Sequence, residues 1–133
     1  MTTSSIHPSA QVEHAGTHIG EHCNIWHFAH VRSGAQIGDC CTLGKGAFVD
    51  AGVELGDCCK VGNEAKLYAP AVIGRRVFVG PGAILTNDKH PRACKDDGAL
   101  KGPRDWEPEG VVLCDGCSIG AGAIVLGGGT VGA

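Results

Sequence analysis

An aliphatic residue recurs every six positions through most of this chain. The column runs Ile19, Ile25, Val31, Ile37, Leu43, Val49, Leu55, Val61, Leu67, Ile73, Val79 and Leu85 without a miss. Ile6 and Val12 precede it, offset by one inserted residue, and Leu113, Ile119, Val125 and Val131 restore it after an interruption. A fixed repeat length marks a stacked repeat architecture. A second column lies four residues after each aliphatic: Cys23, Ala29, Ala35, Cys41, Ala47, Val53, Cys59, Ala65, Ala71, Val77 and Ala83, then Cys117, Ala123 and Gly129. Strand side chains alternate sides, so this small residue and the aliphatic two positions on both point inward. A narrow prism accepts one large and one small side chain per strand. Burial of each aliphatic is worth about 1.5–3 kcal/mol, which makes the column the core.

The position after the aliphatic is read as the corner. Glycine holds it at Gly20, Gly38, Gly44, Gly56, Gly62, Gly74, Gly80, Gly120 and Gly132. A sharp corner is expected to need the positive φ that glycine tolerates. Three six-residue sides make an 18-residue coil, and GDCC at 38–41 and again at 56–59 repeats at that spacing. The short six-residue turn predicts an all-β left-handed parallel β-helix of about six coils, forming a single domain over residues 1–133. Aromatics at only 5% and 22 glycines suit such a core of small aliphatic side chains.

Net charge is −3, so nothing points to a nucleic-acid partner. No apolar run approaches the roughly 18 residues of a membrane span. The N-terminus, MTTSSIHPSA, has no basic region or apolar stretch of a secretory signal, which predicts a cytoplasmic protein. Eight cysteines suggest a disulfide framework or a zinc site, but no paired knuckle spacing is present. The repeat places Cys23, Cys41, Cys59 and Cys117 in the small inward slot as small hydrophobes. Cys40 and Cys58 stand one coil apart, at a spacing that permits a disulfide, although a reducing cytoplasm favours free thiols.

One corner column breaks the glycine rule with Arg32, Asp50, Tyr68, Thr86 and Leu126. On the other two faces only Ile6, Val12, Ile25 and Leu113 lack a following glycine. The repeat is interrupted at this same corner, where an irregular, charged insertion occupies 86–112. A long loop inside a compact domain usually carries function, and loops on rigid scaffolds carry chemistry. Polar columns stack beside this edge: His27, Lys45 and Asn63, then Phe28, Gly46 and Glu64, then His30, Phe48 and Lys66.

The segments IHPSAQVEHAGTHIGEHCNIWHFAHVRSGAQIGD, VGNEAKLYAPAVI, VFVGPGAILTNDKHPRA and DWEPEGVVLCDGCSIGAGAIVLGGGTVG resemble the sugar N-acetyltransferases of the hexapeptide-repeat superfamily. Within it, they are most similar to enzymes that acetylate the 3-amino group of nucleotide-linked amino sugars. The resemblance implies a homotrimer, acetyl-coenzyme A as donor, no metal, and active sites between subunits formed partly by the loop after Leu85. It implies that Asn87 contacts substrate and is catalytic. His90 is the candidate base, since many hexapeptide acyltransferases use a histidine. Some amino-sugar members instead leave the proton to the departing thiolate. Arg92, Asp88, Tyr68, Glu64 and His27 are the expected substrate-binding residues, and Gly120, Ala121 and Ala123 the expected cofactor-binding ones. LGKGAFVDAGVELGD departs from the Gln/Asn-rich version of the relatives and leaves the sugar open. Relatives also continue past the last repeat. This chain stops at Ala133 in mid-repeat, which reads as either a truncated chain or an unusually short enzyme.

Two other readings compete. A metal enzyme of the γ-carbonic anhydrase type needs three converging histidines, and His22, His27 and His30 offer only a partial set, with His90 the one further candidate. A non-catalytic scaffold or binding module is the other.

Overall fold

The structure, a computed structural model, describes residues 3–133. Among these residues, eighteen two-residue strands form three parallel sheets of six. The first sheet stacks Ser5–Ile6, Asn24–Ile25, Thr42–Leu43, Lys60–Val61, Phe78–Val79 and Ser118–Ile119. The second stacks Gln11–Val12, His30–Val31, Phe48–Val49, Lys66–Leu67, Ile84–Leu85 and Ile124–Val125. The third stacks His18–Ile19, Gln36–Ile37, Glu54–Leu55, Val72–Ile73, Val112–Leu113 and Thr130–Val131. The chain visits the three in turn, which makes six coils of a left-handed β-helix. No helix long and apolar enough to cross a membrane occurs among the described residues.

Each rung is hydrogen-bonded to the residue about one coil on, as in Thr42 N to Cys59 O at 2.9 Å and Gly38 N to Leu55 O at 2.8 Å. The second member of each strand points inward. Leu43, Leu67 and Leu85 are fully buried, and so are Ala29, Ala47 and Ala65 in the small slot. Cys23, Cys41, Cys59 and Cys117 fill that slot as the sequence predicts. They are more than small hydrophobes: the thiols of Cys23, Cys41 and Cys59 donate at 3.1 Å to Gly38 O, Gly56 O and Gly74 O of the next coil. Burial pushes the Cys23 thiol up, and the neighbouring Cys59 thiol together with burial pushes Cys41 up further. Val111 fills the slot where the chain returns from the insertion.

The glycine column has a different cause from the one expected. Positive φ occurs two residues later in each turn, at His22, Phe28, Cys40, Cys58, Glu64 and Arg76, and at glycines such as Gly52 and Gly82. From Gly20 to Gly80 the glycines that follow the aliphatic residues are instead required by close stacking, whereas Gly120 and Gly132 have open space there. A Cβ on Gly20 would lie 2.7 Å from Gly38 O, one on Gly38 2.8 Å from Asp57 N, and one on Gly80 2.5 Å from Ala121 N. The same clearance admits a side-chain cap from the coil above. Asp57 Oδ1 accepts from Asp39 N at 2.8 Å, Asn63 Oδ1 from Lys45 N at 2.9 Å, and Asp115 Oδ1 from Arg75 N at 2.8 Å. A second correction concerns Val12. It pairs with Val31 in the second sheet, so Glu13 belongs to the same corner column as Arg32.

Candidate active site

The corner between the second and third sheets carries Glu13, Arg32, Asp50, Tyr68, Thr86 and Leu126 on successive coils. Its lower half is an ionic ladder. His30 Nε2 lies 2.7 Å from Glu13 Oε2, and Arg32 Nη1 lies 3.1 Å from Asp50 Oδ1. The hydrogen bond with His30 holds the Glu13 carboxyl below the usual carboxylate range, helped by Ser33 N–H and the Arg32 charge against some desolvation. Asp50 is mainly a structural group: its oxygens accept from Ala51 N at 2.8 Å and Ala69 N at 3.0 Å. Beside the ladder the rings of His30, Phe48 and Tyr68 climb from coil to coil, the first pair edge-to-face and the second tilted, with centroids 5.5 and 5.3 Å apart.

The insertion is seated directly above Tyr68. Thr86 anchors it to the last coil, donating through Oγ1 to Val125 O at 3.1 Å and accepting from Gly127 N at 3.0 Å. Asn87 anchors it to the coil below, donating through Nδ2 to Ala69 O at 2.7 Å. The returning strand closes the base: Glu109 N donates to Asn87 O at 2.8 Å, and Lys89 Nζ sits 3.0 Å from Glu109 Oε2. Gly110 packs so tightly there that a Cβ would lie 2.6 Å from Pro70 O, beside the cis Ala69–Pro70 bond. Farther out the loop is a small hairpin, bridged antiparallel at Cys94 and Leu100.

The structure brings some of the expected site residues together and separates others. Asn87, Asp88, His90 and Arg92 lie on the first stretch of the loop, above Tyr68. Asp88 Oδ1 accepts from His90 N at 3.1 Å, which turns the chain outward, and His90 and Arg92 are exposed. Arg92 Nη1 donates to Pro91 O at 2.9 Å. Glu64 lies at the opposite edge of the second sheet, held by Lys45 and Lys66 at 3.3 and 3.4 Å, and these ammonium groups lower its carboxyl. His27 lies at that same far edge near the bottom coils, with its ring stacked on His7 at 3.5 Å. Within one chain it does not reach the loop. Gly120, Ala121 and Ala123 occupy the top coil at that edge, and nothing stands within 4 Å of a Cβ built on Gly120. Two features escaped sequence reasoning. Glu13 was hidden by the inserted residue that breaks the count between Val12 and Ile19. The Ala69 carbonyl carries no side-chain signal at all.

A shallow groove of about 410 Å³ lies elsewhere, along the outer face of the third sheet, lined by His18, Gln36, Glu54, Val72 and Arg75 among others. It includes no loop residue. Among the described residues no group of three or more His, Cys, Asp or Glu lies together in a way that holds a metal ion.

The model of the bacterial transferase hexapeptide (six repeats) matches residues 16–51 and again 52–87, and that of the hexapeptide repeat of succinyl-transferase matches 107–126. The chain belongs to the bacterial hexapeptide-repeat transferase family. Comparison with curated proteins gives no match. Among solved structures, the chain is similar to PerB from Caulobacter crescentus in complex with CoA and GDP-perosamine, at 26% identity and a TM-score of 0.58. The likeness covers 98% of this chain and 49% of PerB, so the chain spans about half the length of that relative. A variant of AntD, an N-acyltransferase from Bacillus cereus in complex with dTDP and coenzyme A, is similar at 19% identity and a TM-score of 0.47, over 99% of this chain and 71% of the other.

Proposed function

We propose that this chain transfers an acyl group from acyl-coenzyme A to an amino group on a nucleotide-linked sugar. The observation that carries the reading is the loop seated on the one non-glycine corner of a hexapeptide-repeat helix, with Asn87 fixed at its root. Family membership and the likeness to PerB with its CoA and GDP-perosamine supply the substrate class. We take the acyl group to be acetyl and the acceptor to be a 3-amino group. The working form is a cytoplasmic homotrimer, in which neighbouring subunits supply the second wall of each site.

In this reaction the sugar nitrogen forms a bond to the thioester carbon and the carbon–sulfur bond breaks. The nitrogen must be unprotonated when it attacks, and a histidine is suited to take its proton near neutral pH. His90 is exposed on the loop and is assigned that role. Negative charge develops on the thioester oxygen, and an amide N–H held in place stabilises it without reorganising. Asn87 has two amide hydrogens and spends one on Ala69 O, which leaves the other for a ligand. Arg92 and Lys89 bring positive charge toward the diphosphate of a nucleotide. Asp88 shapes the turn that presents His90. Tyr68 forms the floor beneath the loop, the opposite edge of a neighbouring subunit brings its Glu64 and His27 to the facing wall of the cleft, and Gly120, Ala121 and Ala123 on that same edge offer a smooth wall to the coenzyme.

The test is release of free coenzyme A, followed by chromatography because the chain's own thiols react with thiol reagents. Acetyl-coenzyme A would be supplied with a panel of nucleotide-linked amino sugars. Release that depends on the amino sugar supports the reading. No release with any of them, together with no coenzyme A binding by calorimetry, would replace it with a non-catalytic binding module.

A further inference from the structure

The corner between the third and first sheets carries His22, Cys40, Cys58, Arg76 and Gly116 at the turn position of positive φ on successive coils. Cys40 and Cys58 have nearly the same backbone conformation, with φ 58° and 60°. They are vertical neighbours: Cys40 N donates to Glu21 O and Cys58 N to Asp39 O, both at 2.8 Å. Both thiols are free and exposed. The other exposed thiols are Cys94, on the inserted loop, and Cys114, at the edge of the third sheet.

Adjacent rungs of a parallel sheet lie about 4.8 Å apart, inside the roughly 4.4–6.8 Å Cα window of a disulfide. Because the two turns match, their Cβ atoms start near the rung spacing, slightly beyond the ~3.5–4.5 Å that a disulfide needs. Closing the bond requires only a few tenths of an ångström of movement, at a turn rather than inside a sheet. A bridge strained in this way is readily reduced again. Partial desolvation, and then the neighbouring Cys58 and Asp39, push the Cys40 thiol up. Arg76 takes the same turn position on the next coil, where its N–H donates to Asp57 O at 2.8 Å.

We propose that Cys40 and Cys58 form a reactive dithiol site whose reagent is a low-molecular-weight disulfide such as oxidised glutathione. The Cys58 thiolate attacks one sulfur of the reagent, forms a mixed disulfide and releases one glutathione thiolate. Cys40 loses its proton to solvent, and its sulfur attacks the Cys58 sulfur and releases the second glutathione thiolate. The dithiol is oxidised by two electrons, and the reagent is reduced to two thiols. The product is a covalent clip between consecutive coils, which excess reduced glutathione reopens.

The native full chain would be incubated with oxidised glutathione, quenched in acid and mapped by mass spectrometry. The expected product is an intramolecular cross-link between the peptides that carry Cys40 and Cys58, with the chain lighter by two hydrogens and fully restored by reduced glutathione. Those peptides also contain Cys41 and Cys59, so the Cys41→Ala/Cys59→Ala double variant should still cross-link. Cys40→Ser should stop at a stable glutathione adduct on Cys58. Separate adducts on Cys40 and Cys58 without a cross-link would overturn the proposal. So would both thiols staying free while Cys94 is modified, or a bridge between two molecules.

Discussion

The Asn87 side-chain amide donates to the Ala69 carbonyl across 2.7 Å, while the Asn87 backbone carbonyl accepts from Glu109 at 2.8 Å. One residue therefore ties the start of the loop both to the coil beneath it and to the returning strand. Asn87→Ala removes the side-chain bond and should cost about 1 kcal/mol of stability. It should lower turnover by about 100-fold or more if the amide also faces the developing oxyanion. Thermal unfolding and coenzyme A release, measured on the same preparation, separate the two effects. Equal small losses in both would reduce Asn87 to a loop anchor.

His90→Asn distinguishes two chemistries. A loss of about 100-fold or more in turnover, with unfolding unchanged, identifies a general base. Near-normal turnover assigns the proton to the departing thiolate instead. The side chain is exposed, so the fold should tolerate the change.

Two glycines of the same coil should fail for different reasons. In Gly38→Ala the new Cβ meets backbone at 2.8 and 3.0 Å, and the coils must part; we expect a loss of about 1–3 kcal/mol. In Gly52→Ala there is open space but φ is +74°, and the loss should be nearer 1 kcal/mol. Denaturant unfolding of the two variants checks the order.

Cys41→Ala should be mild, since alanine fills the equivalent slot on the other two faces, as at Ala35 and Ala47. Cys41→Leu should overpack the prism and cost about 1–3 kcal/mol. In the native protein Cys41 and Cys59 should react with thiol reagents far more slowly than Cys94, because they are buried and Cys94 is exposed. Fast labelling of both buried thiols in folded protein would contradict the inward register.

The Glu13 carboxyl is faced by His30, Arg32 and Ser33, and its pKa is lowered on folding. The folded state therefore binds fewer protons than the unfolded one. The resulting stability is present above the ordinary glutamate value near pH ~4.3 and is lost as pH falls through the depressed value. Glu13→Gln should melt below the wild type at neutral pH, and the gap should shrink below the ordinary glutamate value and close as pH falls through the depressed one. A gap that persists into acid would mean that packing, not charge, is what Glu13 contributes.

The period of six was enough to place both inward columns, because every deviation from it exposes a core residue. It was also enough to locate the loop. It was not enough to explain the corners. Gly38 and Gly52 look alike in sequence, yet one is squeezed by Asp57 from the next coil and the other sits at positive φ. Contacts between coils depend on residues 18 apart, and a repeat-by-repeat count shows only six at a time. The same blindness hid Glu13, whose partner is His30 across a register shifted by one residue. The loop residues were legible as a set, but their anchoring to Ala69 and Val125 was not, because both acceptors are main-chain oxygens.

Rungs below the insertion join residues 18 apart, as in Asp39 to Asp57, whereas the rung across it joins Arg75 to Asp115, 40 apart. Loop-closure entropy grows only with the logarithm of length, so this detour costs the fold about 0.7 kcal/mol relative to an uninterrupted coil. Halving the insertion or doubling it would move stability by a similarly small amount, provided that Thr86, Asn87 and Gly110 keep their seats. The prism thus leaves the length and composition of the inserted edge nearly free to vary with little loss of fold stability.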